Sequence, residues 1–152
     1  MRRMFASALA ALSLLLVATA ADAAGQNTRY VVPITTDGAG AATVYSGLVD
    51  GAVVQVRYVP GAAPIDTNGD LDITLETTGV VIANHDNIGT SAFTKVYKQA
   101  THGIDGVAAI LPDADADAPA LDYVYAADER IKVVIANGAA AKSGTLYFWV
   151  KQ

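Results

Sequence analysis

Residues 130–151, with the sequence RIKVVIANGAAAKSGTLYFWVK, constrain the fold more than any other stretch of the chain. Two runs in it, 131–135 and 146–150, are β-branched, leucine or aromatic except for Lys132, which is typical of strands. Between them, Asn137-Gly138 and Ser143-Gly144 are turn-forming pairs. The pattern predicts a hairpin at the centre of an all-β core.

Period-2 alternation divides the second run into two faces. One face is apolar and is expected to face the core: Leu146, Phe148 and Val150. The other carries Tyr147 and Trp149. If it is exposed, the two rings are a candidate binding or interface site for a glycan or a partner surface. The alternative is that they pack against a second sheet or a neighbouring subunit.

The rest of the chain also favours strands. No stretch after the N-terminal leader keeps a helical apolar period for three turns. Alternation predicts that Val54, Val56 and Tyr58 face one side, and that Leu71, Ile73 and Leu75 face the core. Pro33 places its strand at a sheet edge, because proline cannot donate to a ladder. The predicted fold is an antiparallel β-sandwich or jelly-roll-like barrel of about eight or nine short strands, after an N-terminal signal helix.

The first 23 residues have the layout of a signal peptide. Arg2 and Arg3 precede an apolar run rich in leucine and alanine, and Ala21-Asp22-Ala23 is a small-x-small cleavage site. The alternative is a retained membrane anchor. The expected organisation is a signal peptide at 1–23 and a single domain at 24–152, exported to the periplasm, the medium or the cell surface, with no membrane contact after cleavage.

The charge balance argues against nucleic acid as a partner. The formal net charge is −5, and no basic stripe is available to neutralise phosphates. The chain has no cysteine, which excludes disulfides, thiol catalysis and thiolate zinc sites.

The best candidate for a metal site is the loop that contains Asp66, Asn68, Asp70 and Asp72. Oxygen side chains at alternate positions can wrap Ca²⁺, and the spacing matches the first half of an EF-hand loop. The second half does not match, because Leu71 and Thr77 occupy the positions of the required glycine and glutamate. The alternative is a polar loop that leads into a strand. A second acidic run, 113–117, is interpreted as a solvated loop.

No catalytic set is apparent, and the chain is predicted not to be an enzyme. His85 and His102 are the only histidines, and two histidines without a third ligand make a poor zinc site. No serine lies in a Gly-x-Ser-x-Gly elbow.

Seven segments lie in order along the chain: VPITTDG (32–38), AATVYS (41–46), VQVRYV (54–59), DITLETTG (72–79), QATHG (99–103), DERIKVVIA (128–136) and KSGT (142–145). Together these segments resemble a group of small all-β phage virion-associated proteins of poorly defined role. The resemblance implies a virion accessory or decoration-like role and supplies no catalytic residues. The signal peptide departs from it, since phage structural proteins do not normally need export.

Two functions are therefore expected as alternatives. The first is a non-catalytic structural protein that packs its sheets against copies of itself or a larger assembly, as a virion accessory or as an exported surface or filament subunit. The second is a secreted module that binds calcium, a glycan or both.

Overall fold

The computed structural model describes residues 27–101 and 120–152, which form nine antiparallel strands and no helix. The predicted all-β antiparallel fold is confirmed. The predicted signal helix and the acidic run at 113–117 lie outside the described residues. The strands are β1 (Asn27–Thr35), β2 (Ala42–Pro60), β3 (Asp70–Leu75), β4 (Val81–His85), β5 (Phe93–Lys95), β6 (Gln99–Ala100), β7 (Leu121–Asp122), β8 (Val124–Ala136) and β9 (Ser143–Lys151).

Seven strands form one sheet in the order β1-β9-β2-β8-β3-β4, with β5 also paired to β2, while β6 and β7 form a separate pair. Buried side chains from both ends of this sheet belong to one core cluster. Because the described residues contain no helix to cover that face, the sheet must curl so that its two ends cover each other. The arrangement is sandwich-like.

The 19-residue strand β2 contributes to both layers. Its second half pairs with β9 and β5, and its first half pairs with β8. The first layer is therefore β1, β9, the second half of β2 and β5; the second layer is the first half of β2, β8, β3 and β4. Val49-Asp50-Gly51 has the composition of a turn. The chain instead continues as one strand through register shifts, with Gly51 at a φ of 128°.

The predicted hairpin at 130–151 is wrong in its pairing, although both strands exist. β8 and β9 do not pair with each other, because β2 lies between them in the strand order. The connection at 137–142 is an arch between layers. Thr36 Oγ1 donates to the carbonyl of Ala139 (2.6 Å) and accepts from the amide of Lys142 (2.9 Å), which ties the arch to the end of β1.

Residues 37–40 form a turn, but the strands that it joins do not pair with each other. The Asp37 carboxylate accepts hydrogen bonds from the amides of Ala39 (2.8 Å) and Ala41 (3.0 Å). The strands on either side, β1 and β2, are separated by β9 in the sheet. The connections at 37–40 and 137–142 therefore both lead from one layer to the other.

The two predicted core faces are largely confirmed. Leu146, Phe148 and Val150 are fully buried, as are the three apolar side chains of β3. The prediction for β2 holds at Val56 and Tyr58 but is wrong at Val54. A register shift between Val53 and Gln55 turns Val53 inward instead, leaving it 2% exposed.

The edge position predicted from Pro33 is confirmed, since β9 is the only strand paired to β1 among the described residues. Thr36 N donates to Lys142 O (2.9 Å), in the same register as the ladder. Antiparallel pairs alternate between bonded and non-bonded, so Pro33, three positions away, occupies a non-bonded pair. Its nitrogen faces the open edge, where the lack of a donor costs the β1–β9 ladder nothing.

None of the described residues belongs to a helix with the length and apolar character needed to span a membrane.

Candidate functional site

The outer face of the first layer carries the candidate site. Along β1, β9 and the second half of β2, alternate side chains turn away from the core. The register aligns these side chains in rows across the three strands. We call this surface the cationic face. It comprises Asn27, Arg29, Val31, Pro33, Thr35, Gln55, Arg57, Val59, Ser143, Thr145, Tyr147, Trp149 and Lys151.

An open groove of about 280 Å³ lies on this face. Strand pairing creates it, because Arg29 lies opposite Trp149 on β9 and Arg57 lies opposite Tyr147. Two guanidinium groups from different strands thus flank two aromatic rings of the strand between them. The groove is lined by Arg29, Arg57, Val59, Tyr147 and Trp149.

The aromatic side chains of the groove are half-buried and in mutual contact. The ring centroids of Tyr147 and Trp149 are 6.2 Å apart with an interplanar angle of 37°. The guanidinium carbon of Arg29 lies 5.5 Å from the centroid of the Tyr147 ring, within the range of a cation–π contact. The prediction that Tyr147 and Trp149 lie on the face opposite the core is confirmed. Their role in binding stays a prediction.

The charge of this face is opposite to that of the chain. The cationic face contains Arg29, Arg57 and Lys151 and no aspartate or glutamate, whereas the chain has a net charge of −5. The one ion pair among residues 27–101 and 120–152 joins Arg130 to Glu76, so neither groove arginine has a carboxylate partner there. Arginine forms bidentate hydrogen bonds to carboxylates, and aromatic rings add apolar contact area. The groove is therefore suited to binding an anionic group.

A second arginine lies over a tyrosine on the other layer. The Arg130 guanidinium carbon is 4.6 Å from the centroid of the Tyr45 ring. Its Nε donates to Glu76 Oε2 (2.6 Å) and its Nη2 to Glu76 Oε1 (2.5 Å). These bonds hold the pKa of Glu76 below its ordinary value and raise the pKa of Arg130. The donors that Arg130 directs at Glu76 are therefore engaged within the molecule.

Three of the four predicted calcium ligands, Asp66, Asp70 and Asp72, accept hydrogen bonds from three different residues. Asp66 Oδ1 accepts from the amide of Asn68 (3.1 Å) within the turn. Asp70 accepts from the Asn137 side chain (2.9 Å), and Asp72 accepts from the Asn84 side chain (2.8 Å). Within the part of the chain that the structure describes, no three His, Asp or Glu side chains are grouped so as to hold a metal. The calcium site stays a prediction.

His85 and Ser46 have local partners. The Nδ1 of His85 lies 3.2 Å from the carbonyl oxygen of Asp86, and its ring packs 5.1 Å from Phe93. Ser46 Oγ accepts from the amide of Ile131 (2.8 Å) at a buried position. These contacts are structural. His102 lies outside the described residues.

Sequence reasoning did not identify Arg29 and Arg57 as site residues, because only the register brings them beside Tyr147 and Trp149. It also passed over Glu129, which is 7% exposed. Asp128, at a φ of 52°, precedes Glu129 within a register shift of β8. The carboxylate of Glu129 accepts from the amides of Thr77 (3.0 Å) and Thr78 (3.1 Å) and so anchors the β3–β4 turn.

No family model matches the chain, and no curated protein matches it.

Proposed function

We propose that this protein is a non-catalytic structural protein that works by packing against copies of itself or within a larger assembly. The two settings are a virion, as an accessory or decoration-like protein, and the cell surface, as an exported surface or filament subunit. The observation that carries the proposal is the cationic face, an outer sheet surface whose residues include three cations, two half-buried aromatic rings and no carboxylate.

Such a surface supports association better than catalysis. The groove is lined by two arginines, a valine, a tyrosine and a tryptophan, which offer hydrogen bonds and apolar contact area. Arginine, tyrosine and tryptophan are also the residues enriched among those that contribute most binding energy at protein interfaces. Among the described residues, no histidine, serine or carboxylate group, the usual nucleophiles and general bases, lines it.

The open edge of β1 is a poorer contact surface than the cationic face. A strand added there would meet Pro33, which lacks an N–H at a position directed outward. Charged and proline residues on an edge strand oppose the pairing of another strand. Assembly through the face of the first layer is therefore favoured over addition of strands at its edge.

The experiment is light scattering of the purified protein after size exclusion, across a concentration series. The proposal expects a mass above that of the monomer that rises with concentration, or co-purification with a larger assembly. A monomer at all concentrations, with no partner recovered, would contradict it. Trp149→Ala should reduce the association while the protein stays folded.

The second candidate function is a secreted module that binds a glycan, calcium or both. The observation that favours the glycan is the pair of aromatic rings in the groove, since sugar rings stack on exposed aromatic faces. Titration of the protein with oligosaccharides, followed by Trp149 fluorescence, tests it. A spectrum that does not change with any acidic or neutral sugar would count against it.

Calcium binding at Asp66, Asn68, Asp70 and Asp72 has a separate test. A ligand that binds only the folded state raises the Tm by mass action. We expect the Tm to rise with millimolar CaCl₂ and to fall after EDTA treatment if the loop binds the ion. An identical Tm in both buffers would eliminate the metal from the proposed function.

A further inference from the structure

An acidic surface lies at the end of the molecule where several turns meet. The turns that contain Asp37, Asp66 and Asp86 are joined by a chain of backbone hydrogen bonds. Gly138 N donates to Gly40 O (2.8 Å) and Asp66 N donates to Gly138 O (3.0 Å), while Ile88 N donates to Gly69 O (2.8 Å). We call this surface the acidic end. Its carboxylates are Asp37, Asp66, Asp70 and Asp86.

The acidic end is held in a fixed arrangement. Asp70 Oδ1 accepts from the amide of Asn87 (3.2 Å), and Asp70 Oδ2 accepts from the side chain of Asn137 (2.9 Å). Hydrogen bonds from the amides of Ala41 and Ala39 lower the pKa of Asp37. Lys142 is the one cation within these turns in the described part of the chain, and Lys95 lies nearby, beside His85.

We infer that copies of this protein associate head-to-tail, with the acidic end of one copy seated in the arginine–aromatic groove of the next. The inference rests on the proposed function and names its partner as a second copy of this chain. The groove presents two guanidinium groups without carboxylate partners among the described residues, and the acidic end presents carboxylates on rigid turns. Each surface supplies the charge that the other lacks.

The two surfaces are separate on one molecule. Arg29 in the groove and Thr35 at the end of β1 are six residues apart along one strand, or roughly 20 Å. A contact between two different patches is heterologous, so a pair of copies keeps one free groove and one free acidic end. Association of this type produces open chains or closed rings.

A two-fold symmetric dimer through the cationic face is disfavoured on the same grounds. It would bring Arg29, Arg57 and Lys151 of one copy against the same cations of the other, with no carboxylate on either surface to separate them. Like charges placed opposite one another at an interface repel each other, which strongly lowers the affinity. The charge pattern of the face therefore selects the acidic end as its complement.

The decisive experiment mixes two variants, each with one surface neutralised. The groove variant is Arg29→Gln with Arg57→Gln. The end variant is Asp66→Asn with Asp86→Asn, and at Asp66 it keeps the oxygen that accepts from Asn68. Circular dichroism and the Tm verify that both are folded. Each variant alone should associate at least about tenfold more weakly than the unaltered protein.

In the mixture, the intact acidic end of the groove variant meets the intact groove of the end variant. We expect one-to-one heterodimers that do not grow, measured by light scattering with one variant labelled. Arg130→Gln is the matched control, because the guanidinium group of Arg130 already forms an ion pair with Glu76. This substitution should leave the association of the protein unchanged.

Three results would overturn the inference in distinguishable ways. A monomeric unaltered protein contradicts the self-association of the proposed function and the inference together. An unaltered protein that associates, combined with variants that do not rescue one another, contradicts the head-to-tail arrangement alone. Association that does not weaken at least about tenfold between about 0.05 M and 0.5 M NaCl also contradicts it, without requiring any variant.

Discussion

Two arginines lie over tyrosine rings on opposite layers of this molecule, and they differ in whether a carboxylate binds the guanidinium group. Arg130 on the second layer stacks on Tyr45 and is held by both carboxylate oxygens of Glu76. Arg29 on the first layer stacks on Tyr147 without a carboxylate among the described residues. The same pair of side chains is thus completed by a carboxylate in one layer, whereas in the other the guanidinium group has no ion-pair partner in the described part of the chain.

The difference extends to the layers as a whole. Carboxylates of the second layer are built into it, since Glu129 anchors the β3–β4 turn and Glu76 holds Arg130. In the part of the chain that the structure describes, the first layer has no carboxylate on its outer face. Changes to the second layer should therefore affect stability, whereas changes to the outer face of the first layer should affect association.

The largest effect is expected where the first layer faces inward. Phe148→Ala removes a fully buried ring and should lower the free energy of unfolding by about 3–5 kcal/mol. Trp149→Ala, one residue along the strand, removes a half-buried ring and should cost about 1–2 kcal/mol while weakening association. Urea unfolding and light scattering measure the two effects. A loss of stability at Trp149 equal to that at Phe148 would identify the tryptophan as a core residue.

Next in size is the buried carboxylate of the second layer. Glu129→Ala leaves the amides of Thr77 and Thr78 without their acceptor and should lower the free energy of unfolding by about 2–3 kcal/mol. Glu129→Gln keeps one oxygen acceptor and should cost less. Chemical denaturation of both variants gives the comparison. An unchanged association constant in each variant is also expected, because Glu129 lies away from the cationic face.

A smaller effect on stability, dependent on pH, is expected at the Arg130–Glu76 ion pair. Arg130 lowers the pKa of Glu76, so the pair stabilises the fold above the ordinary glutamate pKa, and that contribution disappears as the pH falls through the lowered pKa. Arg130→Gln should slightly lower the Tm at neutral pH, and the difference from the unaltered protein should vanish in acid. Thermal scans from about pH 7 to about pH 2 test this. A difference that grows in acid would contradict it.

The smallest effect on stability is expected from making the first layer resemble the second. Val31 lies beside Tyr147 on the cationic face and is 49% exposed, so Val31→Glu places a carboxylate near Arg29 with little change in burial. Stability should change by about 0.5 kcal/mol or less, while association falls at least about tenfold. Val31→Gln is the uncharged control. Equal association of the two variants would show that shape, not charge, controls binding.

The sequence predicted which residues form strands better than which strands pair. Alternation identified the buried side chains of β3 and β9, because burial of a sheet face follows directly from period-2 order. It did not predict that β2 separates β8 from β9. Pairing depends on contacts between distant residues, and turn residues such as Asn137-Gly138 serve arches as well as hairpins.

The groove residues could also be predicted only in part, because the groove depends on strand pairing. Tyr147 and Trp149 could be placed opposite the core from their own strand alone. Arg29 and Arg57 come from strands that precede them by more than 85 residues, and only the antiparallel register sets them beside the rings. The bulge at Val53 had the same cause, since nothing local to β2 specifies where its ladder with β9 shifts.

The position of β9 also determines when the sheet can be completed. β9 follows the other eight strands in the chain, yet it lies between β1 and the second half of β2. During synthesis, β1 therefore has no neighbour in the described sheet until residues 143–151 have emerged from the ribosome. A nascent chain that ends before residue 143 would expose both flanks of β1 and most of the buried face of the first layer. The first layer can therefore be completed only after the ninth strand has been synthesised.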